Sequence, residues 1–161
     1  MPRGEQVLTI TRHYKNLKLV IDDSLLESIY HSSCGYYPKE YGGFLIGKYS
    51  DDFKTLYIEQ SITAEIFKSS RIEFTRESNY LKPEFEKLFI NKGLYYVGEW
   101  HTHPDGEAWY SSTDLSAMIS ISHEKNVKID NPILLILSIT NDSLKDFNFF
   151  ILNNERLELY E

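Results

Sequence analysis

Residues 98–114 read "GEWHTHPDGEAWYSSTD", and the rest of the chain is best read outward from them. Just upstream, "LYYVGEWHTH" (94–103) is apolar and aromatic enough for a largely buried strand. Strand side chains alternate between faces, so His101 and His103 project from one face at its end. Pro104 has no N–H to give to a ladder, and the strand stops there. The loop "PDGEAWYS" then leads to "SSTDLSAMISISHEKN" (111–126), a helix that opens at Ser111 and holds Asp114 in its first turn, where a carboxylate is favoured. Two imidazoles and a carboxylate suit a zinc ion, and three protein ligands leave the fourth tetrahedral position open, as in catalytic sites. Each part alone is weaker evidence. A lone H-x-H can be two packed histidines, and Ser111-x-x-Asp114 is also a capping box with Asp in place of Glu.

The flanking sequence supplies a frame of strands and helices. "LKLVI" (17–21) reads as a strand, followed by a helix over 22–35. "YGGFLIGKY" (41–49) and "TLYIEQSIT" (55–63) read as consecutive strands across the turn "SDDFK". "RIEFT" (71–75) is a short strand, leading into a helix over 76–93 that contains Pro83 and closes at Gly93. "PILLILSI" (132–139), "DFNFFILN" (146–153) and "ERLELYE" (155–161) complete the strands. Strands and helices mix without strict alternation, which predicts an α+β fold: a mixed β-sheet flanked by helices. Residues 1–161 are expected to form a single domain, with 1–10 as a flexible N-terminus.

Composition narrows the function classes. The chain has 161 residues, 42% of them hydrophobic, and no apolar run reaches membrane-span length. The N-terminus "MPRGEQ" lacks the apolar core of a secretory signal. Cys34 is the only cysteine, which excludes an internal disulfide and points to a cytoplasmic setting. A net charge of −7 without a Lys/Arg cluster argues against nucleic acid as partner.

A hydrolytic metal site also needs a base that takes a proton from water and passes it to the leaving amine, usually a glutamate. No H-E-x-x-H occurs, so that residue lies elsewhere. Glu99 shares the strand parity of the histidines, Glu107 lies in the loop between the ligands, and Glu40 precedes the glycine-containing "YGGFLIG". Residue type and spacing leave all three open.

The set Glu40-x-x-Gly43-x-Leu45-x-Gly47, Gly98-x-x-His101-x-His103-Pro104 and Ser111-x-x-Asp114, with seven residues between His103 and Ser111, resembles the JAMM/MPN+ zinc metalloprotease family. The resemblance runs from about Leu17 to the C-terminus and implies an MPN-type, cytidine-deaminase-like domain. It implies one zinc per chain on His101, His103 and Asp114. Glu40 would be the general base and acid, Ser111 the donor to the developing oxyanion, and Glu99 a solvated or salt-bridged bystander. Gly43 and Gly47 would let the glutamate strand pack near the site. The compact length resembles the prokaryotic JAB-type members, and the wording of the motif that of the group in CBASS antiphage defence. The implied substrate is a protein with an extended C-terminal tail, a ubiquitin-like protein or a conjugated nucleotidyltransferase, cut after its last residue. Processing of sulfur-carrier precursors, and a non-catalytic MPN-type binding scaffold, are the alternatives.

Overall fold

The run 132–139 is apolar but for Ser138, and a strand apolar on both sides needs cover on both faces. The computed structural model, which describes residue 4 and residues 6–124 and 129–161, provides that cover. In chain order the elements are β1 (Thr9–Tyr14), β2 (Leu17–Asp22), α1 (Asp23–Ser33), β3 (Gly42–Tyr49), β4 (Thr55–Thr63), β5 (Phe67–Ser69) and β6 (Phe74–Arg76). There follow α2 (Lys82–Lys92), β7 (Tyr95–Pro104), α3 (Ser112–His123), β8 (Ile133–Ile139), β9 (Leu144–Asn153) and β10 (Arg156–Leu159).

Eight strands form one sheet in the order β1-β2-β4-β3-β7-β8-β9-β10. It is mixed: β2 with β4 and β7 with β8 are parallel, and the other neighbours antiparallel. The two edges meet, because His13 and Glu161 exchange backbone hydrogen bonds of 2.6 and 2.7 Å. Leu26 and Ile29 of α1 pack with Leu45, Trp100, Leu135 and Phe149 on one face. On the other, Met118 and Ile121 of α3 cover Leu134, Ile136 and Phe150, while Leu88 of α2 covers Ile46. Ile133, Leu135 and Leu137 thus face α1, and Leu134 and Ile136 face α3, which is why β8 is apolar throughout. The expected mixed sheet flanked by helices is what the chain forms.

Several boundaries differ from expectation. Thr9 and Ile10 are not part of a flexible N-terminus; they begin β1, an edge strand paired with β2 through a turn in which Lys15 takes a positive φ of 53°. Residues 1–3 and 5 of that call, and 125–126 of the expected helix, lie outside the described residues. The helix expected from residue 76 starts at Lys82, with Pro83 in its first turn, where proline's missing N–H costs nothing. The strand expected over 71–75 is found at Phe74–Arg76 and pairs with β5, a strand that sequence reading did not find. These two make a separate hairpin on the face that carries the histidines.

Candidate metal centre

The site is assembled where β7 ends and α3 begins. His101 and His103 lie opposite Ile136 and Ser138 of β8, on the face that α3 covers. At the start of α3, Ser111 is the N-cap: its Oγ accepts the Asp114 N–H at 3.1 Å, and Asp114 Oδ2 accepts the Ser111 N–H at 2.8 Å. The reciprocal cap fixes the Asp114 carboxylate and aims it back at the strand end. So capping and clustering are combined in the same two residues.

Donor atoms of three residues converge. His101 Nε2 lies 3.1 Å from His103 Nε2, Asp114 Oδ1 stands 3.2 Å from the His101 nitrogen, and Asp114 Oδ2 stands 3.3 Å from the His103 nitrogen. Donors about 2.0–2.1 Å from a tetrahedral first-row cation sit about 3.3–3.4 Å apart, so the two imidazole nitrogens, and each of them with its nearer Asp114 oxygen, already have about the spacing such an ion requires. The tautomer agrees. His103 Nδ1 is 2.9 Å from the Glu107 carbonyl, which can only accept, so Nδ1 carries the proton and Nε2 offers its lone pair inward. Lone pairs this close to one another call for positive charge between them. Burial opposes ionisation of Asp114, yet with no ion between them the protonated forms of His101 and His103 would donate to it, which outweighs burial and holds its carboxyl well below the usual carboxylate range. Burial likewise opposes charge on His103, and the Asp114 carboxylate and Glu107 carbonyl raise its pKa regardless. Among the described residues this is the group of histidine and acidic side chains placed to hold a metal ion.

The three candidate glutamates part company. Glu99 accepts the Arg76 guanidinium with both oxygens and the Tyr96 hydroxyl at 2.9 Å, so it is salt-bridged rather than solvated. Glu107 is exposed, and what it offers the site is its backbone carbonyl. Glu40 is 7% exposed, just ahead of β3, and burial pushes its carboxyl up while the His101 and His103 charges pull it down. Its neighbour is fastened to the strand between the histidines: Tyr41 N–H donates to Thr102 Oγ1 at 3.0 Å, and Thr102 N–H to the Tyr41 carbonyl at 2.9 Å. Gly42 then pairs with His101.

The glycines act differently from expectation. A Cβ at Gly43 or Gly47 would come within 2.1 Å of a carbonyl oxygen on β4, so both permit close packing of β3 on β4 rather than on the site. Gly42 is the one beside the histidines, where a Cβ would lie 2.3 Å from the Trp100 carbonyl oxygen. Sequence reading also passed over the supports: Thr102, the Tyr37 hydroxyl on Asp105 Oδ2 at 2.6 Å, and Arg76. Their partners are 61, 68 and 23 residues away, so no local pattern carries them.

Residues 22–150 match the family described as prokaryotic homologs of the JAB domain. The chain belongs to that family, the prokaryotic JAMM/MPN proteins. Over 120 residues it is 34% identical to a CD-NTase/cGAS isopeptidase of Enterobacter hormaechei subsp. hoffmannii (strain UCI 50), covering 74% of this chain and 66% of that protein. It is 22% identical over 120 residues to a probable metalloprotease of Sinorhizobium fredii, covering 73% of each. A solution structure of a Desulfitobacterium hafniense protein shares the fold at TM-score 0.63 and 17% identity, over 88% of both chains. One from Salinibacter ruber does so at TM-score 0.57 and 22% identity, over 88% of this chain and 86% of that one. All ten motif positions, from Glu40 to Asp114, lie within the JAB match.

Proposed function

We propose that this prokaryotic JAB protein is a zinc-dependent isopeptidase that cuts after the C-terminal residue of a ubiquitin-like protein or of a conjugated nucleotidyltransferase, in antiphage defence of the CBASS kind. The observation that carries the reading is the convergence of His101, His103 and Asp114, with nearest donor distances of 3.1–3.3 Å, beside buried Glu40, which lies two residues before the Gly42 that pairs with His101. The name of the Enterobacter relative supports the substrate class, and that of the Sinorhizobium relative a metal. Zinc held by the three residues would polarise the scissile carbonyl and make water acidic enough to attack at neutral pH.

The chain's own residues do the rest. Glu40 takes the proton from the attacking water as its oxygen bonds to the carbonyl carbon, then gives it to the leaving amine as the C–N bond breaks. A carboxyl whose pKa burial has raised is suited to both tasks. Ser111 Oγ uses a lone pair for the Asp114 N–H, which leaves its own hydroxyl proton for the oxygen that gains negative charge. Residues 1–161 act in this reading as one domain of cytidine-deaminase-like kinship, supported by a sheet that runs from β1 to β10. Among the described residues no helix is long and apolar enough to cross a membrane, and the proposal sets the enzyme in the cytoplasm.

The test is mass spectrometry of products. Fusions carrying the C-terminal tail of a candidate ubiquitin-like protein or nucleotidyltransferase should be cut to the native terminal residue, and a bulky residue before the cut should slow the reaction sharply. Zinc-loaded protein that cuts none of the genomically linked candidates would instead favour a binding scaffold.

A further inference from the structure

The hairpin of β5 and β6 stands apart from the eight-stranded sheet, and it is tied to the sheet at both ends. At one end Arg76 offers Nε and a terminal nitrogen to the two oxygens of Glu99 on β7. The Tyr96 hydroxyl donates to the same carboxylate at 2.9 Å, and the guanidinium lies 5.3 Å from the centre of the Phe44 ring. At the other end the Ser70 carbonyl accepts the Glu40 N–H at 2.8 Å, and Ser69 Oγ donates to the Glu40 carbonyl. Between them Phe74 lies over Gly42, where a Cβ would come within 2.9 Å of its ring. Ser69 pairs with Phe74 and Phe67 with Arg76, so the two ties are about 7 Å apart along the hairpin.

Arg76 and Glu99 are only 17% and 11% exposed. Removing two charges from water costs roughly as much as their attraction returns, so such a pair is a poor device for stability. A two-pronged guanidinium–carboxylate contact does fix distance and angle. What it fixes here is the hairpin that holds both backbone groups of Glu40, against the strand that carries His101 and His103. We infer that Arg76 and Glu99 are positioning residues for Glu40: the pair sets the height of the hairpin over β7, and thereby where the Glu40 carboxyl stands relative to the metal ligands. This rests on the reading of Glu40 as the proton carrier.

The experiment replaces both charges together, Arg76→Met with Glu99→Leu, so that neither is left buried alone. Hydrogen exchange by NMR should show the Glu40 and Ser70 amides exchanging at least about tenfold faster, with β8 amides unchanged. With zinc content and KM unchanged, kcat should fall about 10- to 100-fold, the scale of a displacement near 1 Å. Arg76→Lys keeps the charge without the fork, should fold in any case, and should give an intermediate loss of kcat. An unchanged kcat, a loss carried by KM alone, or undiminished protection of the Glu40 amide overturns the inference. Zinc-loaded parent protein that cleaves nothing overturns the isopeptidase reading instead, and the exchange measurement then decides alone whether the pair fixes Glu40.

Discussion

Thr102, the residue between the two histidines, is where stability and turnover should be most tightly joined. It is 0% exposed, and its hydroxyl is the acceptor for the Tyr41 N–H at 3.0 Å. Thr102→Val keeps the shape and removes the acceptor, leaving a buried donor without a partner. That costs about 1–3 kcal/mol. In a chain of this length each kcal/mol lowers Tm by about 2–4 °C, so the melting point should drop by roughly 2–12 °C. Tyr41 is the residue after Glu40, and a strand start that loses its tie lets the carboxyl drift; kcat should fall about tenfold or more with KM little changed. Thr102→Ser keeps the hydroxyl and should lose only about 1 kcal/mol for the missing methyl, with turnover close to the parent's. Thermal melts, zinc content and steady-state kinetics on the three proteins decide it. If Thr102→Val melts and turns over like the parent, or if Thr102→Ser loses as much turnover as Thr102→Val, the tie does not hold Glu40.

Ser111→Ala removes the acceptor for the Asp114 N–H and should cost about 1 kcal/mol of stability. It should also lower kcat about 10²-fold while KM changes little; equal losses in kcat and 1/KM would speak against an oxyanion role. Glu40→Gln should keep zinc and substrate binding while turnover falls about 10²–10⁴-fold, and Glu99→Gln, which only weakens the fork to Arg76, should lose less; the reverse order would move the base to Glu99. Burial pushes the Tyr49 phenol up to about 12, against about 10 in the unfolded chain. Its proton therefore leaves the unfolded chain at lower pH, and stability should decline by up to about 2–3 kcal/mol as pH rises from about 10 to 12. Denaturant titrations between pH 8 and 11 should show a shallower decline in Tyr49→Phe, and an unaltered slope would remove Tyr49 from the account.

Much of this architecture is legible in residue order. The period-2 placement of His101 and His103, the halt at Pro104 and the cap at Ser111 are local patterns, and local patterns bring His101, His103 and Asp114 to one point. The continuous apolar run of β8 foretells a strand covered on both faces. The choice among Glu40, Glu99 and Glu107 is not local. Glu99 has the right parity and is claimed by Arg76, 23 residues earlier, through a hairpin whose strands are three residues long. Strands that short carry no periodic signal. The β1 edge strand has no fully buried side chain, so its alternation gives little contrast to read. The glycines of β3 mark close approach, but only the paired strand says to what: β4 for Gly43 and Gly47, and the histidine-bearing β7 with the hairpin for Gly42.

The most direct measurement is a zinc titration of metal-stripped protein, following release of the native C-terminal residue from a tail fusion. Cleavage should rise in proportion to added zinc and level off at one ion per chain, while Asp114→Asn should need far more zinc or stay inactive. Cleavage that is indifferent to zinc, that levels off at another ratio, or that titrates unchanged in Asp114→Asn would contradict a catalytic metal held by His101, His103 and Asp114.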